Sequence, residues 1–105
     1  MILGALTRSD VEARLAAVHA DIRGLGVTRL ALFGSVQRGV ARPDSDVDVL
    51  VEFRGGEKTY RHFFALAELL EERLGRSVEL VTLEALSPFL KQRILAEAAD
   101  VLRAA

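Results

Sequence analysis

Apolar residues recur along this chain with two different periods, and the switches between them mark its elements. In residues 9–26, "SDVEARLAAVHADIRGLG", the side chains of Val11, Leu15, Val18, Ile22 and Leu25 fall on one stripe of a helix. Ser9 and Glu12 have capping-box spacing at its start, and Gly24 and Gly26 supply stop signals. "TRLALF" reads as a short strand ended by Gly34-Ser35, and residues 36–41 have room for a helical turn. "RPDSD" is turn chemistry, with Pro43 and Asp44 each favouring a bend. "DVDVLVEF" is the clearest strand: Val47, Val49, Val51 and Phe53 share one face, and Asp46, Asp48, Leu50 and Glu52 share the other. After the loop "RGGEK", a helix runs from Thr59 to about Gly75 with Tyr60, Phe63, Phe64, Ala67, Leu70 and Leu74 inward. "RSVELVT" is a third strand. Ser87-Pro88 then caps and opens a last helix through "FLKQRILAEA". The tail "DVLRAA" fits either a short strand or more helix.

The order is helix, strand, strand, helix, strand, helix. The first two strands can be joined as a long hairpin or by a crossover carrying a small helix. Either gives an α/β (α+β) domain in which a small mixed sheet has helices packed mainly on one face and a partly open second face. At 105 residues the chain is expected to be one domain, residues 1–105, and half of it is apolar, enough for a core without staples. It has no cysteine, which removes disulfides, thiolate nucleophiles and cysteine metal sites and fits a reducing cytoplasm. "MILGALTRSD" lacks the basic start of a signal peptide, and no apolar run reaches membrane-spanning length. The formal charge of −1 argues against broad nucleic-acid binding.

The chemistry begins with two carboxylates. Residues i and i+2 on a strand point the same way with Cα atoms roughly 6.5–7 Å apart, so Asp46 and Asp48 repel each other. A hard divalent cation such as Mg²⁺ or Mn²⁺ resolves that repulsion, and Mg²⁺ is usually completed by substrate phosphates. Gly34 permits close approach of phosphate to the backbone, Ser35 offers a hydroxyl, and Arg38 can neutralise a polyphosphate. Glu79, alone among apolar neighbours in "VELV", is the best third carboxylate if its strand lies beside 46–53 in register. Two metals held so would stabilise the attacking and leaving oxygens of an in-line phosphoryl displacement. Glu79 is also the simplest group to assist deprotonation of an attacking hydroxyl.

"GSVQRGVARPDSDVDVLVEF" resembles the nucleotidyltransferase signature of Gly-Ser, then ten residues, here 36–45, then Asp-x-Asp. With "GRSVELVTLEALSPFLKQRIL", residues 28–98 resemble the minimal nucleotidyltransferases of the DNA polymerase β superfamily, in the MntA-like antitoxin branch of HEPN–MNT pairs. The resemblance implies a polymerase β-like fold, and ATP bound with Mg²⁺, two ions in all. It implies transfer of AMP, with loss of pyrophosphate, to a tyrosine of a HEPN ribonuclease toxin. Gly34 and Ser35 would hold the triphosphate, Asp46 and Asp48 both metals, and Glu79 would match the third carboxylate. The family's third acid is often Asp, so Glu79 is a departure. Val36-Gln37 departs too, where many relatives carry a small residue before the arginine.

Blander readings stand beside these. Asp46 can simply belong to the turn, Glu79 can be a solvated strand residue, and Arg38 and Arg42 can be surface charges. His19 and His62 have no partner at ligand spacing. Tyr60, Phe63 and Phe64 fit a core stripe, and Lys91 and Arg93 a solvated helix face or a basic edge near the nucleotide or an acidic partner. Two other functions compete with protein adenylylation: an antitoxin that neutralises its partner by binding alone, and nucleotidyl transfer to a small hydroxylated molecule. Oligomeric state is open, as homo- or hetero-oligomer.

Overall fold

The computed structural model describes residues 5–103. Helix α1 (Arg8–Ala16) starts two residues earlier than the Ser9/Glu12 spacing suggests. Thr7 is the cap: its hydroxyl accepts the Asp10 amide at 3.1 Å, and the Asp10 carboxylate accepts the Thr7 amide at 3.0 Å. A shorter acid at the third helical position therefore closes the box. The expected single helix breaks at Ala17-Val18, and α2 (His19–Gly24) follows. The apolar stripe survives the break, for Val11, Leu15, Val18 and Ile22 are all buried.

Strand β1 (Val27–Phe33) runs into α3 (Gly34–Arg38), a one-turn helix that begins at Gly34 itself and not at residue 36. Strand β2 (Val47–Phe53) returns antiparallel to β1, so the joint is a hairpin with a helical turn in its loop. Helix α4 (Tyr60–Leu74), capped by the Thr59 hydroxyl, crosses over to β3 (Val78–Thr82), which lies parallel to β2. A short 3₁₀ turn (Leu83–Ala85) leads to α5 (Pro88–Glu97), where Ser87 caps and Pro88 opens the helix. The ambiguous tail is a strand: β4 (Ala99–Arg103) pairs antiparallel with β1. The sheet order is β3-β2-β1-β4, a mixed sheet with β1 and β2 central.

Val47, Val49 and Val51 of β2 join Leu30 and Leu32 of β1 against the apolar sides of α1, α2 and α4 in one core. Each fully buried Leu or Val contributes about 1.5–3 kcal/mol. The inward face of α4 differs from the expectation. Leu66, Leu70 and Leu74 are buried with Phe63 packed against them, whereas Tyr60 and Phe64 are 84% and 60% exposed. At 3.6 residues per turn positions 63, 66, 70 and 74 cluster on one side of the helix, whereas 60 and 64 lie progressively further round from it. They stack on each other instead, ring centroids 6.0 Å apart.

Candidate functional site

The site forms where β1 ends and β2 and β3 begin. Pairing places Phe33 opposite Asp48 across the antiparallel ladder, and Asp48 opposite Glu79 across the parallel one. The row Phe33–Asp48–Glu79 thus spans three strands on the face away from the main core. Asp46 stands exposed just before β2. The register of β3 brings Glu79 to the flank of Asp48. Among the described residues no three such side chains are gathered into a ready-made metal cage. The convergence is one of strand positions, with the carboxylates spread around it.

Asp48 carries the electrostatic signature. Burial, then the charges of Glu79 and Asp46, push its carboxyl above the ordinary value; Arg38 acts the other way, and Glu97 adds to the rise. Like charges held together beside the core are what a hard divalent cation relieves, and carboxylate oxygens are donors of the hard kind that Mg²⁺ takes.

Gly34 is fitted to this aspartate. It adopts φ +74°, and a Cβ there would lie 2.9 Å from Asp48 Cγ and closer still to Oδ2. Only glycine accepts both the left-handed backbone and the adjacent carboxylate. Ser35 sits half-buried on the next position of α3, and Gly39, at φ +75°, closes the helix. Ser45 braces the loop before β2, its hydroxyl accepting the Arg42 amide at 2.8 Å.

Arg38 lies on the same turn, its Nη1 donating to both carboxylate oxygens of Glu97 at 3.2 and 3.3 Å. Oε2 of Glu97 also accepts the Gly34 amide at 2.7 Å. The sequence reading missed Glu97. No spacing marks it, because it reaches the turn across 63 residues of chain.

A cleft of about 260 Å³ opens beside this turn, between Phe33, Gly34 and Arg38 on one wall and Leu90, Arg93, Ile94 and Glu97 on the other. Arg93 is exposed, as expected of a solvated helix face, and from there it both borders the cleft and lies over the Phe89 ring. A larger groove of about 540 Å³ lies at the far ends of β2 and β3, lined by Tyr60, Phe63, Phe64 and Thr82. It contains none of the carboxylates. His62 is held by the Glu57 carbonyl at 2.6 Å, a structural contact.

Residues 15–101 match the nucleotidyltransferase domain family model. The chain is 38% identical over 93 residues to the protein adenylyltransferase MntA of Thermococcus cleftensis, covering 88% of this chain and 93% of the relative. A solved minimal nucleotidyltransferase superposes with a TM-score of 0.78 at 38% identity, over 90% of this chain and 95% of that one. Two toxin–antitoxin structures share the fold at lower identity. One, with AMP-PNP, has a TM-score of 0.70 at 24% identity, over 89% and 73% of the two chains. The other, a tri-AMPylated Shewanella oneidensis HEPN toxin in complex with MNT antitoxin, has a TM-score of 0.55 at 21% identity, over 85% and 72%.

Proposed function

The chain belongs to the nucleotidyltransferase domain family and is homologous to MntA protein adenylyltransferases, and from that premise we propose that it moves AMP from ATP to a tyrosine hydroxyl of a HEPN ribonuclease toxin, acting as the antitoxin of the pair. The observation that carries this reading is the Phe33–Asp48–Glu79 row ending beside the Gly34 turn. It offers a cation site next to a backbone that a phosphate chain can approach.

In this reading Asp46, Asp48 and Glu79 would hold Mg²⁺, as two ions, which would supply charge stabilisation to the attacking and leaving oxygens. Gly34, its own N–H held by Glu97, lets the triphosphate come close to the turn, Ser35 holds it by its hydroxyl, and Arg38 neutralises it with the guanidinium donors that Glu97 leaves free. The acceptor oxygen attacks the α-phosphorus, the bond to the β-phosphate oxygen breaks, and pyrophosphate leaves. A carboxylate of the site, Glu79 in the simplest case, takes the acceptor proton.

The test mixes the purified protein, the product of the adjacent gene, Mg²⁺ and ATP labelled on the α- or the γ-phosphate. Label enters the partner from the α position only. Transfer from the γ position, or none, refutes the reading.

A further inference from the structure

Glu97 ends α5 one residue before β4 begins, and its carboxylate does two things at once. Oε2 accepts the Gly34 amide at 2.7 Å, and both oxygens receive Arg38 Nη1 at 3.2 and 3.3 Å. The preceding residue, Phe33, gives α3 no side-chain cap, so the first amide of that turn is satisfied from a distant element. Gly34 is consequently gripped from two directions, by Asp48 where a side chain would stand and by Glu97 at its N–H. Arg38, 55% exposed, would otherwise swing freely, and its long side chain loses much rotamer freedom when fixed. The carboxylate bears that ordering in advance and engages only one of the two terminal nitrogens.

We propose that Glu97 is a positioning residue of the nucleotide site: it sets the Gly34 turn and aims Arg38 at the triphosphate without touching the nucleotide. This rests on the reading above, in which Gly34 and Arg38 hold ATP. A charged hydrogen bond to a main-chain amide is among the stronger polar contacts, which makes it suited to fixing a loop. Glutamine at the same position keeps an acceptor for the amide and loses only the charge on Arg38.

The experiment is calorimetric titration of Mg²⁺ with AMP-PNP into the full chain and its variants, alongside steady-state AMP transfer to the partner. Glu97→Ala weakens AMP-PNP binding about 10-fold, the scale on which supporting contacts around a site act. It raises KM for ATP while KM for the partner stays put. Glu97→Gln restores binding to within about threefold, since the amide bond is retained. Arg38→Ala weakens binding too, and the Glu97→Ala/Arg38→Ala double variant loses less than the product of the two single effects, because the groups act through one contact. If Glu97→Ala does not fold, Glu97→Asp, too short to reach both partners, is read in its place.

A purely architectural Glu97 would lower the folded fraction and leave the affinity of folded protein unchanged, which overturns the proposal. Tighter binding by Glu97→Ala also overturns it, since Glu97 would then compete with phosphate for the same donors. Failure of the unaltered chain to bind AMP-PNP refutes the ATP reading and this inference together. Normal binding by that chain and an unaffected Glu97→Ala refutes the inference alone.

Discussion

At the scale of the residue, Gly34 and Asp48 form a matched pair. Gly34→Ala forces a Cβ into Asp48 and a left-handed backbone that costs about 1–2 kcal/mol on its own. Urea unfolding should show a loss of at least that size, together with loss of AMP transfer. Asp48→Asn should move the two readouts apart. It removes a partly desolvated charge lying beside Glu79 and Asp46, so the metal-free protein should be slightly more stable at neutral pH, by less than a fully buried charge would give because solvent screens much of the repulsion. Transfer activity of Asp46→Asn/Asp48→Asn falls about 10²–10³-fold or further, the scale of losing a principal charge-stabilising group. If that double variant folds, binds the partner and still protects cells, neutralisation by occlusion replaces catalysis as the mechanism. Asp48 could be placed on the far side of β2 because a strand's side-chain period is two and its neighbours are valines, whereas Asp46, put on the same strand face by that period, stands exposed just before the strand. Glu79 became a neighbour of Asp48 only through the register of β3, which no local pattern states. Glu97 left no trace at all, since its partners lie at the other end of the fold.

At the scale of the element, the strands read more reliably than the helix faces. "DVDVLVEF" is β2 to within one residue, whereas the stripe on α4 was set one side chain off, because aromatic Tyr60 and Phe64 mimic a core pattern and Leu66 completes the real one. Leu70→Ala should cost about 2–5 kcal/mol in chemical unfolding, and Phe64→Ala well under 1 kcal/mol apart from the lost stack. The C-terminal strand was ambiguous since five residues are too few to show a period. Its attachment is partly ionic: Arg29 on β1 donates to Asp100 on β4 at 2.6 Å and to Glu52 on β2 at 2.8 Å, and Arg103 donates to Asp100 at 2.8 Å. Burial pushes the Asp100 carboxyl up, but hydrogen bonds from Arg29 and Arg103 and their charges together outweigh it and leave it below its ordinary value. A carboxyl lowered by folding stabilises the protein above its unfolded pKa, and that contribution is lost as pH falls through the folded value. Asp100→Asn should therefore be less stable than the unaltered protein at pH 7, by about 1 kcal/mol for a partly exposed pair, with the gap closing below the normal aspartate range. A gap that persists undiminished at pH 2 would show that charge is not what holds β4.

At the scale of the whole molecule, ligands should stabilise what the carboxylates strain. With Mg²⁺ and AMP-PNP at about 100 times Kd, the folded state gains about 2.7 kcal/mol. For a domain of this length that is a rise in Tm of roughly 10 °C or more. EDTA should remove most of that rise, and Asp48→Asn should abolish it. No helix among the described residues is long and apolar enough to cross a membrane, and the mixed sheet matches the solved minimal nucleotidyltransferase in fold. The contact between Glu97 and the Gly34 turn has one more consequence, which concerns time. A chain emerging from the ribosome presents Gly34, Ser35, Asp46 and Asp48 first, then Glu79, and Glu97 only after them. The signature is thus made well before the residue that braces its turn, and a nascent chain stopped before α5 is complete carries the whole motif with an unbraced cradle. Competence to hold a nucleotide in that cradle would follow only once Glu97 has been made and folded back against the turn.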